Sequence, residues 1–178
     1  MARVSILDKQ FETSYTEAQI QEAVRRVADA INTDMAGRDP LFLCVLNGAF
    51  MFAADLMKRV SIPSRISFVK LASYSGTQST GTIKELIGIN EDLSGRTVVL
   101  IEDIVDTGVT IRALIDQCKA KGAAEVRVAT MLFKPGNCRP DTKPEYVGLE
   151  IPNDFIVGYG LDYDGYGRNI PEILTLVP

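Results

Sequence analysis

The sequence predicts an α/β fold: a central parallel sheet flanked by helices, with a small hood lobe above it. Three observations carry this. Short, continuously apolar runs such as L-F-L-C-V-L (41–46) and V-V-L-I (98–101) have the character of strands buried on both faces. Segments with apolar residues at helical spacing lie between them, and strands alternating with helices make a parallel sheet with right-handed crossovers. Near the C-terminus Pro135, Pro140, Pro144 and Pro152 break the pattern into short pieces. At 178 residues one domain is expected, with a core over about 15–140 and the hood over about 141–178 together with the N-terminal segment.

Thr16-Glu17-Ala18-Gln19 fits a capping box, and Ile20, Val24, Val27 and Ile31 form one stripe of the helix that follows, ending near Gly37. After the strand over 41–46, Asn47-Gly48 turns the chain into a helix over about 49–60, with Phe52, Leu56 and Val60 inward. A strand over 66–71 leads into S-Y-S-G-T-Q-S-T-G-T (73–82), which is too polar to bury itself and reads as a loop. Strands follow over 84–89 and 97–101, a helix over 108–122 with Ile111, Leu114, Ile115 and Cys118 inward, and a strand over 125–133. Residues 146–149 and 155–157 are candidate strands of the tail.

Composition closes off several functions. A net charge of −4 argues against binding nucleic acid, which calls for a basic face. The three cysteines show no CxxC spacing, and Cys44 and Cys118 sit in apolar stretches, so reduced thiols are expected. The start M-A-R-V-S-I-L-D lacks a signal pattern and no apolar run approaches a membrane span, so a cytoplasmic protein with no membrane partner is expected. There is no histidine, which removes Ser-His-Asp and Cys-His catalysis and histidine-ligated zinc. Proton transfer falls to Asp, Glu, Lys, Tyr or water, and a metal would be a hard cation with oxygen ligands, such as Mg²⁺.

The chemistry concentrates in V-V-L-I-E-D-I-V-D-T-G-V-T (98–110). Three carboxylates, Glu102, Asp103 and Asp106, end an apolar strand at the rim where ligands of open α/β sheets bind. From Asp106 through Thr107, Gly108 and Val109 to Thr110 the chain turns into a helix N-terminus. Free amides, two hydroxyls and a glycine there suit a phosphate. Glu102 and Asp103 only accept when ionised, so they suit the two hydroxyls of a ribose or the waters of a bound Mg²⁺. A phosphorylated ribose satisfies both groups. An aspartic-protease D-T-G would need a second such motif or a dimer of short β-rich chains, and this chain has one motif in an α/β setting.

The stretch resembles the phosphoribosyl pyrophosphate (PRPP) motif of type I phosphoribosyltransferases, more narrowly the hypoxanthine-guanine members. V-L-N-G-A-F-M-F-A-A-D-L (45–56), S-Y-S-G (73–76), L-F-K-P (132–135) and F-I-V-G-Y-G-L-D-Y (155–163) extend the resemblance over most of the chain. It implies transfer of 5-phosphoribosyl from PRPP to N9 of a 6-oxopurine with Mg²⁺, and a homodimer or homotetramer. Glu102 and Asp103 would take the ribose hydroxyls, residues 106–110 the 5′-phosphate, and Asp106 would be the general base near purine N7.

The remaining roles are also implied by the resemblance. Lys134, by itself readable as a solvated lysine, would donate to purine O6; an ammonium has only donors and so rejects a 6-amino group. Phe155 by sequence alone reads as core, whereas the resemblance has it stacking on the base with Ile156 backbone at the base edge. Asp162, grouped with the purine contacts, would hold Mg²⁺ on the pyrophosphate side, with Glu102 and Asp103 as the other metal ligands, and Arg168 would contact pyrophosphate. Leu46-Asn47-Gly48 corresponds to a pyrophosphate loop that commonly contains a non-proline cis peptide; Asn47 stands where a cation is frequent. Ser73 and Tyr74 would belong to a lid excluding water. RNA-binding attenuators resemble the same motif, but the acidic net charge and the Lys134, Phe155 and Asp162 set oppose that function.

Overall fold

The computed structural model describes residues 3–73 and 83–178. The chain runs β1 (Arg3–Ile6), β2 (Lys9–Tyr15), α1 (Glu17–Asp34), β3 (Leu41–Leu46), α2 (Phe50–Met57), β4 (Arg65–Ser73) and β5 (Ile83–Ile87). It continues through β6 (Thr97–Val105), α3 (Val109–Ala120), β7 (Glu125–Phe133), a 3₁₀ turn (Pro140–Thr142), β8 (Tyr146–Glu150), β9 (Ile156–Val157) and β10 (Ile173–Leu176). The capping box forms: Gln19 N–H donates to Thr16 Oγ1, and Thr16 N–H donates to Gln19 Oε1. It starts α1 where the sequence places it.

Six strands form one sheet in the order β5-β4-β3-β6-β7-β8. The central strands are apolar at successive positions because both faces are covered. Phe42, Cys44, Val99 and Ile101 pack under α1 and α2, while Leu41, Leu43, Val98 and Leu100 pack under α3. Cys44 and Cys118 are free, buried thiols. Burial pushes them up to about 12 and about 11, with Glu102 and Asp103 adding to the shift at Cys44.

The structure alters four expectations. β5 runs antiparallel to β4 at the sheet edge, because residues 74–82 are too few for a crossover. The candidate strand over 146–149 forms, as Tyr146–Glu150, but it joins the main sheet as β8, parallel to β7, rather than the hood, because pairing with β7 is a long-range choice its own residues do not announce. The N-terminal residues form two strands that the sequence did not announce, since most of their side chains face solvent and only Phe11 is fully buried. They join β10 and β9 in a second sheet, β1-β2-β10-β9, closed around Ile6, Phe11, Val157 and Leu174. The helices over 49–60 and 108–122 are shorter than expected, at Phe50–Met57 and Val109–Ala120. No helix among the described residues is long and apolar enough to cross a membrane.

Candidate active site

Register brings the site together. Val105 lies opposite Phe133, so Asp106 and Lys134 leave β6 and β7 at the same level, and Lys134 N–H donates to Val105 O at 3.0 Å. Cys44 lies opposite Ile101, which sets the turn after β3 beside the acid pair. A pocket of about 290 Å³ opens along residues 102–111.

Glu102 is only 5% exposed, and Asp103 is half-buried. They are not two open carboxylates, as the sequence implied. Burial holds Glu102 well above the ordinary carboxylate range, and the neighbouring Asp103 charge raises it further. Burial also raises Asp103. Against that, Ile104 N–H donates to Asp103 Oδ1 at 2.7 Å, Glu102 bonds to its side chain and Arg168 attracts it. Of the two, Glu102 is the one held further towards its neutral form, by burial first and by the Asp103 charge second.

A raised carboxyl binds its proton more tightly when folded, so its stabilisation is present below the unfolded value and is lost as pH climbs from 4.5 through the raised one. Glu102→Gln is therefore expected to stabilise the ligand-free protein at about pH 8 by on the order of 1 kcal/mol and to flatten the loss of Tm between about pH 5 and about pH 8. Thermal melts at the two pH values check this; a variant melting below wild type at the higher pH would contradict it.

The turn 46–48 closes on this pair. The Leu46–Asn47 peptide is cis. A Cβ at Gly48 would stand 1.7 Å from Asp103 Oδ2, so the backbone reaches the carboxylate only because residue 48 has no side chain. Asp103 is held by Ile104 N–H and Glu102 and cannot swing away freely. Gly48→Ala is expected to weaken PRPP binding roughly tenfold or more by displacing Asp103. Titration of the folded variant with PRPP measures it, and an unchanged dissociation constant would refute the contact's importance.

Gly108 precedes α3 with φ +83°, in the left-handed region, and a Cβ there would meet Thr142 Oγ1 at 2.0 Å. The phosphate-type turn is thus braced from behind: Arg139 N–H donates to Thr107 O at 3.3 Å, and Arg112 pairs with Asp141 at 3.1 Å. Val109 N–H donates to Thr107 Oγ1 at 3.4 Å, while Thr107, Val109 and Thr110 are exposed.

Lys134 is 8% exposed, not a solvated lysine. Its ammonium donates to Asp154 O at 3.0 Å and makes longer contacts to Asn153 Oδ1 (3.4 Å) and Asp106 Oδ2 (3.5 Å). Phe155 is 47% exposed, which overturns its reading as core. Its ring meets Tyr163 at near right angles with 5.9 Å between centroids and tilts against Phe11 at 6.3 Å. Ile156 is buried in β9 opposite Thr175.

Arg168 pairs with Asp162 at 2.8 Å and donates to Gly160 O at 2.7 Å, while Asp162 Oδ2 accepts from Gly165 N–H. The structure therefore does not join Asp162 to the acid pair: among the described residues no three His, Cys, Asp or Glu side chains stand together as a metal cage. Asn47 is exposed. Ser73 ends β4, and Tyr74 lies outside the described residues.

A sequence profile described as the phosphoribosyl transferase domain matches residues 13–164, which takes in the acid pair, the turn, Lys134 and Asp162. The chain belongs to the phosphoribosyltransferase family. It is 38% identical over 163 residues to the hypoxanthine-guanine phosphoribosyltransferase of Streptococcus thermophilus, covering 91% of each chain. It is 40% identical over 164 residues to the bifunctional protein TilS/HprT of Listeria monocytogenes, covering 92% of this chain but only 25% of that one. The chain thus spans about a quarter of the length of the Listeria relatives it matches. A crystal structure of a hypoxanthine phosphoribosyltransferase from Staphylococcus aureus has a TM-score of 0.88 at 34% identity, covering 94% of this chain and 91% of that one. These relatives place the chain among the hypoxanthine-guanine members.

Sequence reasoning missed part of the equipment of this site. Asn137 Nδ2 donates to Asp106 Oδ1 at 2.8 Å and to Asn153 Oδ1 at 2.9 Å. Neither asparagine carries a local signal, because a polar residue in a proline-bounded loop reads as solvated. Thr142 was also missed; it is buried behind Gly108.

Proposed function

We propose that the chain is a purine-salvage phosphoribosyltransferase that moves the 5-phosphoribosyl group from PRPP to N9 of hypoxanthine, and of guanine, giving IMP or GMP and pyrophosphate. One observation supports this above the others. A carboxylate acceptor, Asp106, and an ammonium donor, Lys134, leave adjacent strands at the same level beside the amide-rich turn. A 6-oxopurine presents the complementary pair, a protonated ring nitrogen and a carbonyl oxygen, on one edge.

Residues 106–110 hold the 5′-phosphate through free amides and hydroxyls at the start of α3. Asp103, with Glu102 behind it, takes the ribose hydroxyls. Phe155, which is exposed, stacks on the base, with the Ile156 backbone at the base edge. Leu46, Asn47 and Gly48 hold pyrophosphate through backbone groups, and Arg168 adds its guanidinium. Asp106 takes the N7 proton as N9 bonds to C1′ and the C1′–oxygen bond to pyrophosphate breaks. Ser73 and Tyr74 belong to the lid that keeps water from C1′. The small sheet carrying Phe155 and Asp162 acts as the hood.

The donor set fits Mg²⁺ arriving with substrate. Mg²⁺ is usually held by one or two carboxylates plus substrate phosphates and keeps several waters, so no prebuilt cage is required. Asp162 on one side and Asp103 with Glu102 on the other would hold it, and when bound it would supply charge neutralisation to pyrophosphate. The chain works in the cytoplasm as a homodimer or homotetramer. Phe50, Ile66, Phe68, Leu86 and Ile87 are large apolar side chains left exposed, which supports self-association.

A panel of hypoxanthine, guanine, xanthine, adenine and uracil with PRPP and Mg²⁺ tests the function. Nucleotide is expected from hypoxanthine and guanine and not from adenine or uracil. A preference for adenine or uracil, or no nucleotide from any base, would overturn it.

A further inference from the structure

Four side chains close a ring at the base end of the pocket. Asp106 Oδ1 accepts from Asn137 Nδ2 at 2.8 Å, and Asn137 Nδ2 also donates to Asn153 Oδ1 at 2.9 Å. Asn153 Oδ1 faces Lys134 Nζ at 3.4 Å, and Lys134 Nζ faces Asp106 Oδ2 at 3.5 Å. The chemistry of the partners fixes both amide orientations. An ionised carboxylate only accepts, so the Asn137 atom toward Asp106 must be nitrogen. An ammonium only donates, so the Asn153 atom toward Lys134 must be oxygen.

The ring is uneven in a way that bears on the reaction. Both bonds of Asn137 are short, and they use its two amide hydrogens. Both ring contacts of Lys134 are long, while its bond to Asp154 O is 3.0 Å. A base carbonyl arriving at Lys134 therefore displaces the weak contacts, and the ammonium stays anchored on Asp154. Asp106 then loses Lys134 from Oδ2, and what still fixes its carboxylate is Asn137 on Oδ1. Oδ2 is left free to face the ring nitrogen.

We propose that Asn137 is a positioning residue: it aims the Asp106 carboxylate at the base during the exchange of Lys134 from Asp106 to the purine oxygen. A neutral donor suits this task. A cation at 137 would weaken Asp106 as a proton acceptor, and an acid would repel it. This inference rests on the assignment of Asp106 as the general base.

Asn137 is exposed, so replacing it leaves the core intact. Asn137→Leu keeps the shape and removes the donor, and Asn137→Asp keeps the shape and turns the donor into an acceptor. Both are expected to lower kcat with hypoxanthine roughly 10- to 100-fold, the scale of a misplaced catalytic group. The dissociation constant for PRPP should stay within about twofold, since Asn137 meets the phosphate turn through the Asp106 side chain, while Arg139, Arg112 and Thr142 brace its backbone. In an Asp106→Asn background, Asn137→Leu should add little further loss, because both changes remove one function. Full kcat in Asn137→Leu, or an undiminished extra loss on top of Asp106→Asn, would overturn the inference while wild-type turnover upheld the function. Absence of turnover with hypoxanthine in the wild type would overturn the function and the inference together.

Discussion

Asp106→Asn is expected to lower kcat about 10²- to 10⁴-fold, the usual worth of a general base. The substitution is nearly isosteric. The new amide keeps an oxygen for Asn137, which now donates to Asp106 Oδ1 at 2.8 Å, so the loop should stay where it is. What disappears is an atom that can take the N7 proton, together with the negative charge that favours positive charge building on the base as N9 attacks. Binding of PRPP should survive, because the 5′-phosphate is proposed to sit on backbone amides and hydroxyls of residues 106–110, and the ribose on Asp103. Steady-state kinetics combined with PRPP titration separate the two effects. Near-wild-type kcat with saturable PRPP binding would remove Asp106 from the proton transfer.

The second large effect concerns selectivity. Lys134→Met keeps an unbranched chain of similar length in a position that is 8% exposed, and removes every donor. Hypoxanthine would then lose the partner proposed for its O6. A site built to hydrogen-bond a group discriminates by about 10⁴- to 10⁵-fold against an analogue that cannot answer it, and most of that margin should vanish. The expected result is a fall in kcat/KM for hypoxanthine of roughly 10²-fold or more, with adenine gaining relative to it. Asp154 O and Asn153 Oδ1 would also lose a donor, but both residues are exposed enough for water to replace it. An unchanged ratio of hypoxanthine to adenine turnover would exclude Lys134 as the group that reads O6.

The two effects differ in kind because the residues differ in what they meet. Asp106 is 43% exposed at its side chain and is proposed to act where a proton moves, so its removal is expected in the rate constant. Lys134 is buried, donates to the Asp154 carbonyl oxygen, and is proposed to distinguish bases by whether they accept. Asn137 links them, which is why a loop residue with no obvious signal has a predicted kinetic effect.

Much of the architecture was legible because it is written locally. Continuous apolar runs in β3 and β6 follow from helices covering both faces, and the Thr16–Gln19 box marks the start of α1 without reference to anything distant. The acids, Gly108 and the hydroxyls of 102–110 are consecutive, so their chemistry could be read as one unit. The absence of histidine narrowed the candidates for proton transfer before any fold was known.

Only the tertiary structure decided the rest. Asn137 stands 31 residues from Asp106 and 16 from Asn153, and those partners meet because β6 and β7 end at one level. The direction of β5, the recruitment of β8 into the main sheet and the pairing of N-terminal β2 with C-terminal β10 are likewise long-range choices. So is the upward shift of the Glu102 carboxyl, which depends on burial beside Asp103. Periodicity reports whether a residue is covered. Which group covers it, and with what charge, is fixed only when distant strands have paired, and a carboxylate's protonation and aim depend on those neighbours.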